Sequence, residues 1–85
     1  MTDIEYEILD ELYFVNTFEN LLKEIDIDES ALLKELGQLI SKEWVKCFIN
    51  NNTEVKNDRV DLLNNRYKHL FLATKKGLMA HNAGI

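Results

Sequence analysis

ESALLKELGQLISKEWV, residues Glu29 to Val45, opens as an amphipathic helix and ends as the start of a strand. Asp28, just ahead of it, can accept the free amide hydrogens of a first helical turn, and Glu29 suits the positive end of the helix dipole. At ~100° per residue, Leu32, Leu33, Leu36, Leu39 and Ile40 share one arc, and Ser30, Lys34, Gly37, Gln38 and Ser41 share the opposite one. The spacing predicts a helix over about Glu29 to Lys42 with its leucines turned inward. Its outer face carries no carboxylate, although the chain as a whole is acidic.

Upstream, apolar residues at Ile4, Ile8, Leu12 and Val15 predict a first helix from Asp3 to Val15. Tyr6, Leu9 and Tyr13 give it a second, adjacent apolar face. Thr17 is a capping residue, and Phe18, Leu21, Leu22 and Ile25 predict a short second helix from Phe18 to Ile25. Asp26-Ile27-Asp28 breaks that pattern as a turn, with Ile27 plugging the core. Downstream, Trp44 to Ile49 is β-branched and aromatic, a strand by composition, with Trp44 expected to anchor against the third helix. Asn50 to Arg66 reads as a long polar loop in which Val60, Leu62 and Leu63 touch the body. Tyr67 to Ala73 reads as a second strand, and Thr74 caps a last helix of about two turns. Two helices joined by a short turn, then strand, loop, strand and helix, enclose one core that no single element is long enough to form.

The chain has 85 residues, no proline and no internal repeat, so it holds one domain. Its single cysteine, Cys47, excludes an internal disulfide framework and reads as a small buried hydrophobe. No apolar run approaches the ~18 residues needed to span a bilayer. The acidic start, Met1 to Asp10, is unlike a secretory leader, so the chain reads as cytoplasmic. The net charge of −5 is unevenly divided: residues 1–30 carry −9 and residues 31–85 carry +4. Such a molecule can turn a basic side to phosphates while its acidic side stays in water.

In this order and spacing the residues resemble the winged-helix regulators of the multiple-antibiotic-resistance (MarR) and PadR type, over almost the whole chain. Glu29 to Val45 resembles the recognition helix of that family leading into its first wing strand. Phe71-Leu72-Ala73-Thr74-Lys75-Lys76-Gly77 is similar to the strand and Leu-Thr-x-x-Gly turn that closes the wing. Glu43 stands where the family commonly has glycine, Asp58-Arg59 and Arg66 stand at the wing, and long flanking dimerisation helices are missing. The resemblance implies an α+β fold: a single winged-helix domain over residues 1–85, with a three-helix helix-turn-helix core, a two-stranded β wing and a short C-terminal helix. It implies a small transcriptional regulator that binds double-stranded DNA.

On that expectation the outer arc of the third helix enters the major groove. Lys34 and Gln38 reach base edges, Ser30, Ser41 and Lys42 meet the backbone, and Gly37 allows close approach. Lys56, Arg59, Arg66 and Lys68 on the wing hold phosphates. Beside this stands the plainer reading that these are solvated polar residues. A second function class rests on Tyr6, Leu9 and Tyr13: a homodimer or protein-partner surface, unless Leu78 and Met79 of the last helix cover it. A positive strip joining Lys34, Lys42 and the wing favours DNA; one broken by Glu35, Glu43 or Asp61, together with an apolar first-helix face in a symmetric contact, favours a protein. Catalysis finds no support. His69, His81 and Cys47 lack metal-ligand spacing, no phosphate-binding glycine loop or nucleophile elbow occurs, and Asp10-Glu11 and Asp28-Glu29 read as surface and cap residues. No cofactor and no metal are expected.

Overall fold

The computed structural model describes residues 1–84 as an α+β fold built on one core. The elements are α1 (Asp3–Glu11), β1 (Asn16–Thr17), α2 (Phe18–Glu24), α3 (Glu29–Ser41), β2 (Val45–Asn50), β3 (Thr53–Val55), α4 (Leu62–Asn65), β4 (Leu70–Ala73) and α5 (Lys75–Ala83). Single 3₁₀ turns lie at Asn57–Arg59 and Arg66–Lys68. The four strands form one antiparallel sheet in the order β1-β4-β2-β3.

The helix starts are local chemistry. The side chains of Thr2, Thr17, Asp28 and Thr74 each accept a hydrogen bond from the backbone N–H three residues on, satisfying an orphan donor at the start of α1, α2, α3 and α5. At α1 the cap is reciprocal, because the Glu5 carboxylate accepts from the Thr2 N–H at 3.0 Å. The leucine arc of α3 turns inward as its period requires: Leu32, Leu36 and Leu39 have no exposed surface, Ile40 is buried, and Leu33 packs at the core margin. Ile8, Leu12, Phe18, Leu21, Val45, Cys47 and Phe71 complete the centre.

Three expectations need correction. First, α1 stops at Glu11. The Leu12 carbonyl accepts from the Ala73 N–H at 2.9 Å, and Asn16–Thr17 pair with Phe71 and Leu70, so sheet bonds replace helical ones. Val15 therefore leaves the core stripe, and Phe14 stands 82% exposed. Leu9, grouped with Tyr6 and Tyr13 on the adjacent apolar face as a candidate interaction residue, is fully buried.

Second, Asn50 to Arg66 is structured. The Asn50 side chain accepts from the Asn52 N–H at 2.9 Å, an Asx turn that folds the chain back so that β3 pairs with β2. Asp61 then caps α4, and Val60 and Leu62 dock on the core while Leu63 points to solvent. β2 thus has a partner on each side, β3 and β4. Third, Tyr67 and Lys68 lie in a 3₁₀ turn, so the last strand begins at Leu70. Arg66 holds that turn by donating to the Leu63 carbonyl at 2.6 Å.

The turn between α3 and β2 is bolted to the turn between β4 and α5. Trp44 donates its N–H to the Leu39 carbonyl and accepts from the Thr74 N–H, both at 2.9 Å. The Thr74 hydroxyl donates to the Glu43 carbonyl at 2.7 Å and its oxygen accepts from the Gly77 N–H at 3.0 Å. Glu43 sits at φ +65°, a left-handed conformation that favours glycine. At Gly77 an added Cβ would lie 2.2 Å from the Trp44 carbonyl oxygen, so only glycine lets α5 come this close.

These two residues predict opposite effects in urea unfolding. Gly77→Ala costs about 1–3 kcal/mol by forcing backbone apart. Glu43→Gly gains roughly 0.5–1 kcal/mol, because relief of the left-handed strain exceeds the added freedom of the unfolded chain. Equal midpoints for the Gly77→Ala variant and the parent would show that the two turns do not touch as described.

Candidate functional site

The exposed side of α3 is where sequence and structure coincide. Ser30, Lys34, Gln38 and Ser41 are all exposed and Gly37 is half-buried among them. A Cβ on Gly37 would meet nothing within 4 Å, so packing does not demand glycine there. Mid-helix glycine costs about 0.5–1 kcal/mol relative to alanine, and nothing within the fold offsets that.

One flank of this surface is built by the segment after β3. Asn57 donates from Nδ2 to the Ile40 carbonyl at 3.0 Å, tying its 3₁₀ turn to the end of α3. Gly37, Ile40 and Ser41 then face Asn57, Val60, Asp61, Leu62 and Leu63 across a cleft of about 320 Å³. Lys56 precedes Asn57 and Arg59 ends the same 3₁₀ turn, with Asp58 between, and all three are exposed. Asp61 stands in the cleft wall. Hydrogen bonds from Asn64, side chain first and then backbone, hold its carboxyl below the usual carboxylate range, keeping a negative charge at the edge of the surface.

The remaining expected cations are arranged differently. Lys42 reaches back to α1, where its ammonium lies 2.5 Å from Glu5 Oε2 and 4.8 Å from the centre of the Trp44 ring. Glu5 is a carboxylate only 3% exposed, and nothing in its sequence pattern marks it as a partner for Lys42. Arg66 is held by Glu29, with 2.5 Å between Nε and Oε2, and lies over the rings of Tyr67 and Phe18. Lys68 borders a separate cleft with Ile49, Asn65 and His69. Among the described residues Lys34, Lys56, Arg59 and Lys68 make no ion pair. The strip from Lys34 through Lys42 to residues 56–68 is therefore interrupted at Lys42, at Arg66 and by Asp61.

The tyrosine face of α1 is only partly covered, with Tyr6 and Tyr13 still 45% and 38% exposed, and its neighbour is not the expected one. His81 of α5, 7% exposed, stacks on Tyr6 with ring centres 4.0 Å apart and meets Tyr13 edge-on. The Tyr13 hydroxyl donates to Asn82 Oδ1 at 2.8 Å, which leaves its oxygen to accept from His81 Nδ1, also at 2.8 Å. Leu78 packs against the core instead, and Met79 is 62% exposed. The usable signal in sequence was spacing: Gly77, Ala80 and His81 form the buried stripe of α5. Cys47 is fully buried, and burial together with the Glu54 carboxylate pushes its thiol up to about 12, which removes it as a thiolate nucleophile. Among the described residues no group of three or more His, Cys, Asp or Glu side chains converges to hold a metal ion, and no helix is long and apolar enough to cross a membrane.

The Glu5–Lys42 contact carries a pH dependence with a definite sign. Burial pulls the Glu5 carboxyl upward, but the Lys42 ammonium and the bonds from Thr2 outweigh it and leave the carboxyl below its ordinary value of 4.5. A lowered carboxylate adds stability above the unfolded-state pKa, and this is lost as pH falls through the folded one. Glu5→Gln keeps a capping oxygen and removes the charge. It is expected to cost about 1–2 kcal/mol at pH 7, allowing for the partial exposure of Lys42, and to reduce the loss of stability below about pH 4.5. Urea titrations at several pH values measure both; parallel curves for parent and variant would contradict the assignment. Comparison with family models, with curated proteins and with solved structures finds no match for this chain.

Proposed function

We propose that this chain is a winged-helix module that docks on double-stranded DNA with α3 in the major groove, as a small transcriptional regulator. The observation that carries the reading is the carboxylate-free stripe of Ser30, Lys34, Gln38 and Ser41, exposed on α3 around a glycine that packing does not require. In the groove, Gln38 suits adenine, Lys34 suits guanine or a phosphate, and Ser30 and Ser41 donate to backbone oxygens. Gly37 lets the helix approach closely. β2 and β4 correspond to the two wing strands, with β3 and α4 inserted between them, and Lys56 and Arg59 contact phosphates beside the groove.

Lys42 and Arg66 join only by giving up Glu5 and Glu29. Of the six candidate cations, Lys34, Lys56, Arg59 and Lys68 then remain for phosphates, so the affinity falls with salt at a log–log slope of about −3 to −4. A second reading, a winged helix used for protein interaction or homodimerisation without DNA, is favoured by those same ion pairs together with Asp61 and the net charge of −5.

Titration with random duplex DNA at low and moderate salt separates the two. The DNA reading expects dissociation constants of ~10⁻⁴–10⁻⁶ M. Gly37→Ala is expected to stabilise the fold by about 0.5–1 kcal/mol while weakening duplex binding several-fold, an opposition that a purely structural glycine would not produce. Affinity no better than about millimolar at low salt ends the DNA reading. A strictly monomeric protein in sedimentation ends the homodimer form of the second.

A further inference from the structure

α5 presents a second concave surface that the α3 reading does not use. Trp44, Met79, Ala80 and Ala83 form an open groove of about 660 Å³, bordered by Lys75 and Lys76. Among the described residues no carboxylate lines it. Trp44 needs no reorganisation to serve as its wall: its backbone is bonded to Leu39 and Thr74, and its ring lies beneath the Lys42 ammonium that Glu5 holds in place. Met79 is 62% exposed, an unbranched and adaptable side chain of the kind that accommodates varied apolar partners.

The lysines supply the argument about the occupant. Both are exposed in the first turn of α5, the positive end of the helix dipole, where cations are disfavoured and carboxylates are the usual choice. Neither closes an ion pair among the described residues, although Glu43 and Glu54 border the adjoining cleft on their other side. Their position works against helix stability, and an apolar floor with a cationic border complements a guest that is apolar on one face and anionic beside it.

We propose that this groove takes an amphipathic helical segment of a partner protein, with large apolar side chains at i, i+3 or i+4, and i+7, and carboxylates flanking them. The apolar anchors lie along Met79, Ala80 and Ala83 against Trp44, and the carboxylates meet Lys75 and Lys76, which sets the direction of the bound helix. The surface lies apart from α3 and does not depend on DNA binding there.

Trp44 is the sole tryptophan, so its fluorescence reports on the groove directly. The probe is a synthetic amphipathic helix of leucines flanked by glutamates, compared with a twin carrying lysines in place of the glutamates. The acidic peptide is expected to shift Trp44 emission to the blue and to move the Trp44 indole and Met79 methyl resonances saturably below ~1 mM. The twin is expected to bind at least ~10-fold more weakly, and the double variant Lys75→Glu, Lys76→Glu to reverse that order. Met79→Glu, at an exposed position, retains a dispersed spectrum and weakens the acidic peptide by a similar factor. Equal binding of both peptides, resonance changes confined to α3, or no change up to millimolar peptide overturns the proposal. So does the same Trp44 shift on raising protein concentration without peptide, which would give the groove to a second copy of the chain.

Discussion

Thr74 bonds to the carbonyl of Glu43, the carbonyl of Trp44 and the amide of Gly77, and the arrangement of the molecule depends on that small cluster. It joins the end of α3 to the start of α5 across 31 residues of chain. Because β2 leaves one turn and β4 enters the other, the cluster also aligns Val45 with Ala73 and so starts the central strand pair. The left-handed backbone at Glu43 and the missing side chain at Gly77 are the steric conditions for it. Strain at one residue is tolerated because several hydrogen bonds and a close backbone contact over-determine its conformation.

Charge follows from this packing in a way composition does not show. α1 lies against α3 and α5, which brings the buried Glu5 within reach of Lys42, and the segment before β4 brings Arg66 to Glu29. Both pairs join the acidic first part of the chain to the basic second part. The division of charge along the sequence is therefore partly cancelled inside the molecule, and fewer cations face outward than a count suggests. The exposed stripe of α3 escapes this cancellation, since its one cation, Lys34, has no acidic neighbour within ion-pair reach among the described residues.

The segment between β3 and β4 has the largest influence on the candidate surfaces. It leans Val60 and Leu62 on the core, and stands beside α3 with Asp61 and the exposed Leu63 at the edge of the cleft. Anything that approaches α3 meets this segment as well. On the other side, His81 of α5 packs on the tyrosines of α1, which stay partly exposed, and Met79 and Trp44 form a separate groove. Two distinct surfaces result, one polar and one apolar with a cationic border.

The residues alone were sufficient for the features governed by short-range chemistry. Thr17, Asp28 and Thr74 cap helices because their side-chain oxygens reach amides three residues away, and the leucines of α3 point inward because a 3.6-residue period places them on one face. The exposure of Ser30, Lys34, Gln38 and Ser41 follows from the same period. Tertiary structure decided what depends on distant segments meeting: the early end of α1 at a sheet bond from Ala73, the pairing of β3, and the burial of Leu9. It also decided the partners of Lys42 and Arg66, each 37 residues away, and of Tyr13, 68 residues from His81. A cap or a helical face is set by neighbours along the chain, whereas an ion pair or a strand edge is set by which surfaces the core brings together.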